Sequence, residues 1–436
     1  MTKKKILCWC DFIAPTGFGN VAKNLLDELH LYYDVSIVGI NYQGDIKYDT
    51  SKYFVYPITR EDLLGVKRLY DIAKRDQPDL IFLFQDIFHI SDIIEKLKKV
   101  SPKSKIVIYF PVDGYPFSAA WQNALELSDA VITYTDWAIK VIKEKFPQFN
   151  KPIHKLYHGI DTSVFYPQPI ELIEENRKKA NWNQKFVIIN VNRFQPRKAI
   201  PLSVRAFSMF AKGYKRCKCG HAMPLANTYC EVNMCPPEDI VFTQDDKKDD
   251  VYYYLHMSAM EYSMGQNRTC LLQNHLINAG FTNEDYSKII GINAKKIYAN
   301  EVPEAELNNL YNASNLNITS SGGEGAGLSL LESAATGTPS LAPKNSAIPE
   351  MLNGTGTLVS NNAAYSHPMD NAHIRPIVNV EEMMLRLEDY YNMWKALGKE
   401  KTIDQACINN INANFLWPDK REILHKIFKE ILEKNE

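Results

Sequence analysis

The sequence predicts an α/β protein with two doubly wound domains. Short, nearly apolar runs alternate with helix-like segments, as in parallel sheets whose strands are buried on both faces. The clearest runs are Leu80–Phe84, Lys105–Phe110 and Phe186–Val191. A chain of 436 residues is long enough for two such domains. Ligands of doubly wound sheets bind at the carboxyl ends of the strands, so the residues that follow these runs are candidate site residues.

The composition argues against several function classes. Fifty basic and 51 acidic residues give a formal net charge of -1, which does not favour a chain that binds nucleic acid or an anionic membrane with its whole surface. No apolar run approaches the roughly 18 residues of a transmembrane helix. The apolar run after the basic start is too short for a signal peptide. Because four of the eight cysteines are clustered, we expect a cytoplasmic, reducing location rather than a disulfide framework.

The first domain begins with a predicted strand from Lys5 to Trp9, a glycine-containing loop and a helical pattern from Val21. Gly17 and Gly19 in this loop would let a ligand approach the backbone closely. The alternative is that the two glycines serve only the geometry of a tight turn.

Polar residues follow two buried strands of the same domain. Gln85 and Asp86 come directly after Leu80–Phe84, and Asp113 follows Lys105–Phe110. These positions lie at the ligand-binding edge that a doubly wound sheet predicts. For Asp113, an ordinary Asp-Gly turn is the alternative. A proline-containing stretch, Phe165–Pro169, then fits a linker between the domains.

Two cations follow the first strand of the second domain. Arg193 and Lys198 stand four residues apart, before a helix with an apolar face. Basic residues in such a loop are usually just solvated. Placed beside a diphosphate leaving group, however, a guanidinium and an ammonium would stabilise the negative charge that builds up as the bond to it breaks.

A cysteine-rich segment interrupts the second domain. Two close pairs of cysteines suit four tetrahedral thiolate ligands on a zinc ion, although His221 could replace one thiolate. Four ligands close the coordination shell, so a structural zinc is expected at a zinc-ribbon-like insert over residues 213–238. The predicted ligands are Cys217, Cys219, Cys230 and Cys235.

A basic patch adjoins the cysteine-rich segment. It would suit an acidic partner, nucleic acid included, or form an ordinary solvated face. Its members are Lys212, Lys215, Arg216 and Lys218.

A glycine-rich turn joins the apolar run Leu316–Ile318 to a helical pattern that begins near Leu328. The start of a helix offers free N–H groups and the positive end of a dipole to an anion. Glu324 and Glu332 frame this turn. Carboxylates repel phosphate, so they are better suited to accept hydrogen bonds from hydroxyl groups. The combination favours a nucleotide-linked sugar, although an isolated turn of this kind is weak evidence for any ligand.

The segment E-G-A-G-L-S-L-L-E-S-A-A-T-G-T-P-S, from Glu324, resembles the E-x7-E signature of retaining, nucleotide-sugar-dependent glycosyltransferases with the GT-B fold, and is most similar to family 4 of these enzymes. The similarity extends to residues 302–313 and to Ile348–Leu352, and the spacing of Arg193 and Lys198 is similar to the family's Arg-x4-Lys pair. Ala326 departs from the pattern, which usually has an aromatic residue there. Ser346-Ala347 replaces a usual pair of glycines, and family members do not generally carry the cysteine-rich insert.

The resemblance implies two Rossmann-like domains that face a cleft: residues 1–165 on the acceptor side and 166–415 on the nucleotide-sugar side, with a C-terminal helix over 416–436 that packs back on the first domain. It also implies metal-independent transfer of a sugar from a nucleoside diphosphate sugar to an acceptor hydroxyl with retained configuration. The acceptor stays open: a glycan, lipid, protein or nucleic acid. Another GT-B enzyme, such as an epimerase or phosphorylase, and a non-catalytic zinc-containing binding module are the alternatives.

The resemblance assigns a role to each candidate residue. The diphosphate would be held by two cations and a helix start, the ribose by Glu332, the transferred sugar by Glu324, and the opposite wall of the cleft would be lined from the first domain. The diphosphate ligands are Arg193, Lys198 and the amides of Gly325, Ala326, Gly327 and Leu328; the wall residues are Asp113, Gly17 and Gly19.

Overall fold

The computed structural model describes residues 3–13, 16–44, 51–230, 233–258, 260–262, 269–293, 302–367 and 370–433. The chain forms two compact units. Unit 1 comprises Met1–Asp161, His367–His373 and Phe415–Glu436, and unit 2 comprises Thr162–Ser366 and Ile374–Asn414. The first boundary lies close to the predicted linker, whereas the assignment of residues 367–373 to unit 1 was not predicted.

Unit 1 contains a seven-stranded parallel sheet in the order β3-β2-β1-β4-β5-β6-β7. The order reverses between β1 and β4, so right-handed crossovers place helices on both faces. The strands are β1 (Lys5–Asp11), β2 (Asp34–Ile40), β3 (Phe54–Tyr56), β4 (Leu80–Phe84), β5 (Lys105–Phe110), β6 (Ala130–Thr133) and β7 (Ile153–Lys155). The helices are α1 (Gly17–Leu26), α2 (Leu29–Tyr32), α3 (Val66–Asp76), α4 (Ile87–Val100), α5 (Gln122–Leu127) and α6 (Asp136–Lys145), with a 3₁₀ turn at Ala119–Trp121.

The start of helix α1 differs from the sequence prediction. The helix begins at Gly17 rather than near Val21. The Thr16 hydroxyl accepts a hydrogen bond from the N–H of Gly19 at 2.9 Å, which caps the first turn. Gly17 and Gly19 therefore lie in the first turn of a helix and not in the preceding loop.

Unit 2 contains a six-stranded parallel sheet in the order β15-β12-β8-β16-β17-β18. An antiparallel sheet, β10-β9-β11, and the pairs β13-β14 and β19-β20 are added to it. The strands are β8 (Phe186–Val191), β9 (Tyr214–Cys217), β10 (Ala222–Pro224), β11 (Ile240–Gln244), β12 (Val251–His256), β13 (Met260–Tyr262), β14 (Thr269–Leu271), β15 (Ile290–Ile292), β16 (Leu316–Ile318), β17 (Ser340–Pro343), β18 (Thr357–Val359), β19 (Asn361–Ser366) and β20 (Ile374–Val378). The helices are α7 (Ile170–Lys179), α8 (Ile200–Lys212), α9 (Leu272–Asn278), α10 (Glu304–Ala313), α11 (Leu328–Ala335), α12 (Ile348–Leu352), α13 (Val380–Ala396) and α14 (Gln405–Asn414), with 3₁₀ turns at Pro196–Lys198 and Pro237–Asp239.

The order of this sheet reverses between β8 and β16, which pair directly, with Leu316 opposite Ile188. The loops that leave the carboxyl ends of these two strands therefore start side by side. Crevices at such reversal points are the usual ligand sites of open α/β sheets. Large buried side chains from β8, α8, β12 and α13 fill the core beneath: Phe186, Phe207, Phe210, Tyr253 and Trp394.

The last helix, α15 (Trp417–Glu433), belongs to unit 1. Its Phe428 ring contacts Phe82 of β4 with ring centroids 5.2 Å apart. Its Arg421 donates to Glu28 at 3.1 Å. Apolar contacts and an ion pair thus fasten the chain end to the first unit. Among the residues that the structure describes, no helix has both the length and the apolar character needed to span a bilayer.

Candidate functional site

The candidate site in unit 2 is built from the loops after β8 and β16. The N–H of Gly322 donates to the carbonyl of Arg197 at 2.7 Å. The Ser320 hydroxyl lies 3.0 Å from the carbonyl of Lys198 and 2.9 Å from that of Ala199. These hydrogen bonds join the basic loop to the glycine-rich loop. The two loops therefore form one preorganised surface at the reversal point of the sheet.

Lys198 and Glu324 meet at this surface. The Lys198 Nζ lies 2.5 Å from Glu324 Oε1, and their side chains are 12% and 8% exposed. Burial raises the pKa of Glu324, but the charges of Lys198 and Arg197 outweigh it and hold that pKa below its usual value. Glu324 is consequently an ionised acceptor in a nearly water-free position.

Sequence reasoning missed Arg197. Its Nη1 donates to the carbonyl of Gly323 at 2.7 Å and lies 3.5 Å from Glu324 Oε2. Arg193, the predicted partner of Lys198, has an exposed side chain on the same loop. The 3₁₀ turn Pro196–Lys198 and the left-handed Ala199 (φ 47°) turn Arg197 towards the glycine-rich loop. The adjacent Arg197-Lys198 pair was the signal available in the sequence.

The predicted helix start is present. Gly327 adopts a left-handed conformation (φ 69°), which favours glycine, and α11 begins at Leu328. Gly325 and Ala326 occupy the turn just before it. The first N–H groups of a helix lack intrahelical acceptors, so this turn presents donors that suit an anion.

Glu332 lies in the second turn of α11, where it accepts a hydrogen bond from the Tyr311 hydroxyl at 2.9 Å. Burial raises the pKa of Glu332 to about 7, against a smaller lowering by the Tyr311 hydrogen bond. The two glutamates of the motif thus differ: Glu324 is held ionised by cations, and Glu332 titrates near neutral pH.

Ser346 is a second residue that sequence reasoning did not assign to the site. Its hydroxyl accepts from the N–H of Glu324 at 2.8 Å and donates to the side-chain oxygen of Asn345 at 3.0 Å. Ser346 has a φ of 47°, in the left-handed region that favours glycine. This position is one where the resembled family usually has glycine. The serine therefore adds a side-chain contact that fixes the backbone of Glu324.

The residues predicted to line the opposite wall lie in unit 1. Gly17 and Gly19 start helix α1, and the half-buried Asp113 follows β5. Next to the ends of β1 and β4, the buried Asp11 carboxylate accepts from Asn41 at 3.0 Å and from Gln85 at 3.3 Å. Gln85 was predicted at this edge, whereas its contact with Asp11 was not.

Comparison with known proteins was made at the level of sequence and of structure. No protein-family model matches the chain, and no curated protein matches it. Solved structures do match along nearly the whole length. Sucrose-phosphate synthase from Thermosynechococcus elongatus is 13% identical with a TM-score of 0.63, covering 98% of this chain and 99% of that one. Anabaena HepE in complex with UDP-glucose is 14% identical with a TM-score of 0.63 and the same coverage. A UDP-forming trehalose-phosphate synthase from Burkholderia xenovorans is 13% identical with a TM-score of 0.62, covering 100% and 99%.

The chain has the GT-B fold. At these identities the likeness concerns architecture, and it agrees with the fold class that the sequence predicted. Within this GT-B chain, the loops at the reversal point of the unit 2 sheet bring together Lys198, Arg197, Glu324 and the start of α11.

The cysteine-rich segment forms the small sheet β10-β9-β11, which extends to Gln244, beyond the predicted end at residue 238. The sulfur atoms of the four predicted cysteines all lie within 4.8 Å of one another, so the cluster could hold a metal ion. His221 is not part of the cluster. Its Nε2 lies 3.1 Å from Arg205 Nη2, so the ring accepts a hydrogen bond from helix α8. Residues 231 and 232 of the segment lie outside the described part of the chain.

The basic patch beside the cysteines is largely neutralised. Three of its four cations form ion pairs, and the fourth donates to a backbone carbonyl. This arrangement favours the ordinary solvated face over a nucleic-acid patch. The pairs are Lys212–Asp285 at 2.7 Å, Lys218–Asp239 at 2.7 Å and Arg216–Glu381, while Lys215 donates to Asn227 at 3.1 Å.

Proposed function

We propose that the protein is a retaining glycosyltransferase that moves a hexosyl group from a nucleoside diphosphate sugar to an acceptor hydroxyl. One observation carries the proposal. A buried glutamate paired with Lys198 and Arg197 lies beside the start of α11, at the reversal point of a GT-B unit. Such a surface combines cations and N–H donors for a diphosphate with a carboxylate acceptor for sugar hydroxyls.

Each residue of the surface receives a role in donor binding. Lys198, Arg197 and Arg193 supply positive charge to the diphosphate, together with the amides from Gly325 to Leu328. Glu324 accepts hydrogen bonds from hydroxyls of the transferred sugar, and Glu332 accepts them from the ribose. A UDP-sugar is the first donor to test, because the structurally similar HepE was crystallised with UDP-glucose.

The proposed reaction exchanges one bond for another at the anomeric carbon. The bond from this carbon to the diphosphate oxygen breaks, and the bond to the acceptor oxygen forms on the same face. The acceptor proton passes to the departing diphosphate oxygen, so no protein nucleophile is required. The negative charge that develops on the diphosphate is stabilised by Lys198 and the neighbouring cations. We propose that this step is independent of a metal ion.

Residues of unit 1 complete the proposal on the acceptor side. Asp113, Gly17 and Gly19 are proposed to contact the acceptor or the sugar end of the donor. The buried Asp11, held by Asn41 and Gln85, is a further candidate for hydroxyl recognition. The protein is proposed to act in the cytoplasm.

A thermal-shift screen of nucleotide sugars, with UDP-glucose as the first compound, tests donor binding. The best donor is then incubated with panels of glycan, lipid, protein and nucleic-acid acceptors. We expect a glycoside with retained anomeric configuration, detected by NMR. Release of a free epimer from labelled donor without acceptor would instead show an epimerase. Absence of any stabilisation by nucleotides and nucleotide sugars would contradict the proposal and favour a binding module. Glu324→Ala provides the control, because it should abolish product formation.

A further inference from the structure

We propose that Cys217, Cys219, Cys230 and Cys235 bind one Zn²⁺ ion, and that this ion is the folding core of the small sheet and braces helices α8 and α13. The proposal is independent of the glycosyltransferase proposal.

The positions of the sulfur atoms fit a tetrahedral ion. With metal–sulfur bonds of about 2.3 Å, the sulfur atoms of a tetrahedral site are roughly 3.8 Å apart. Cys219 Sγ and Cys230 Sγ are 3.5 Å apart, and all four sulfurs lie within 4.8 Å of one another. None of the four forms a disulfide. Tetrahedral sulfur sites suit zinc or iron, and Zn²⁺ binds divalent-metal sites more tightly than Fe²⁺.

Backbone hydrogen bonds hold the cysteines in two pairs. In the first, the N–H of Gly220 donates to the carbonyl of Cys217 at 2.8 Å, and the N–H of Cys217 donates to the carbonyl of His221 at 3.1 Å. Gly220 is left-handed (φ 86°), which suits glycine at this turn. In the second, the N–H of Cys230 donates to the carbonyl of Cys235 at 3.1 Å. Ligands from two such pairs can close around one ion.

The small sheet has very little apolar core of its own. Among the described residues of the segment, its own cluster contains only Met223 besides the buried Cys217 and Cys230 and the partly buried Cys235. Four of the five residues of β11 are exposed. Segments of this size rarely fold on apolar burial alone and usually need a metal or disulfides. The ion would therefore supply the missing stabilisation.

The sheet is joined to two helices of unit 2 through polar contacts. The ring of His221, which lies between the two cysteine pairs in the sequence, accepts a hydrogen bond from the Arg205 side chain of α8. Arg216, next to the first ligand, forms an ion pair with Glu381 in the first turn of α13. Loss of the ion would therefore loosen α8 and α13 as well as the sheet.

Metal analysis of the full-length protein tests the assignment. Inductively coupled plasma mass spectrometry should find about one zinc per chain. Displacement of zinc by a mercurial reagent, read with a chromogenic chelator, should release the same amount. Less than a tenth of an equivalent of zinc in folded protein, or an equivalent of iron in its place, would overturn the assignment.

Variants test the bracing role. Cys219→Ser and Cys235→Ser should lose the zinc and lower the melting temperature, and hydrogen exchange should rise in α8 and α13. Met234→Ser, which changes an exposed residue of the same segment, and Cys407→Ser, which changes a buried cysteine outside it, should keep one zinc per chain. Should the ligand variants fail to fold, hydrogen exchange before and after mercurial treatment of the wild type gives the same comparison. Unchanged exchange in α8 and α13 after complete zinc release would refute the bracing role.

Discussion

Replacing Lys198 by methionine should reduce both the stability of unit 2 and the rate of glycosyl transfer, for two separable reasons. The substitution keeps an unbranched apolar stem and removes the ammonium group. Glu324, whose side chain is 8% exposed, then keeps only Arg197, whose Nη1 lies 3.5 Å from it. The negative charge of the buried Glu324 carboxylate is then balanced less well.

The expected loss of stability follows from the burial of the Lys198–Glu324 ion pair. Removing one partner of a buried ion pair costs about 3–5 kcal/mol. Because Arg197 still faces Glu324, we expect the lower end, about 3 kcal/mol. Loss of one group that stabilises transition-state charge typically lowers kcat by about 10²–10³-fold. The double variant Lys198→Met, Glu324→Gln has no buried carboxylate, and Arg197, whose side chain is 30% exposed, keeps its hydrogen bond to the Gly323 carbonyl. This variant should therefore regain most of the stability, but not the rate.

Urea unfolding followed by circular dichroism measures the first effect. Turnover of UDP-glucose, or of the best donor from the screen, measures the second. Lys247→Met, which removes an exposed lysine of the same unit, is the matched control and should behave as wild type. The reasoning is refuted if Lys198→Met keeps turnover within about threefold of wild type, or if the double variant recovers activity along with stability.

Three further substitutions probe other contacts. Arg197→Ala removes the hydrogen bond to the Gly323 carbonyl, so the free energy of unfolding in urea should fall by about 1–2 kcal/mol; no change would show that this bond is not needed. Burial raises the pKa of Glu332 to about 7, so the carboxylate that we propose for ribose binding is lost as pH falls, and UDP-glucose affinity by calorimetry should weaken severalfold from pH 8 to pH 6. Glu332→Gln should abolish this dependence, and an equal dependence in the variant would contradict the proposed role. Gly159→Ala places a Cβ 2.6 Å from the Trp417 ring and 2.8 Å from its backbone nitrogen, so thermal unfolding should show a loss of about 1–3 kcal/mol; a wild-type melting temperature would refute the tight packing of α15 in unit 1.

The fold could be predicted because burial on both faces of a strand leaves a simple pattern. Leu80–Phe84, Lys105–Phe110 and Phe186–Val191 are strands with the predicted bounds, and nearly all their residues are buried. Capping was harder to predict. The Thr16 hydroxyl moves the start of α1 to Gly17, and a threonine directly before a glycine gives no distinctive periodicity. The sequence also predicts a short strand at Lys296–Tyr298, which lies outside the described residues.

The candidate site could be predicted in outline only. The two motifs led us to expect Lys198 and Glu324 in one site, but the ion pair between these residues, 126 positions apart, was not predicted. The role of Arg197 depends on the 3₁₀ turn and on the left-handed Ala199, because these backbone angles decide which of two neighbouring arginines faces the glycine-rich loop. Ser346 was missed for a similar reason: the usual glycine of the resembled family marks this position, but it does not show that a serine there accepts a hydrogen bond from the N–H of Glu324. Side-chain direction in irregular loops is therefore the part that the sequence did not reveal.

The proposed donor-binding loop and the cysteine cluster meet helix α8 at different positions, so their roles can be distinguished. Lys198 lies two residues before the first residue of α8, whereas the cysteine segment reaches the same helix at Arg205 through His221. Arg205 is the sixth residue of α8, so it lies about one and a half turns, or roughly 7.5 Å, along the axis from Ile200. A zinc ion with four thiolate ligands has no open position for a phosphate oxygen. It can, however, hold the helix whose start carries the cations, so metal loss should affect donor binding only through the stability and order of α8.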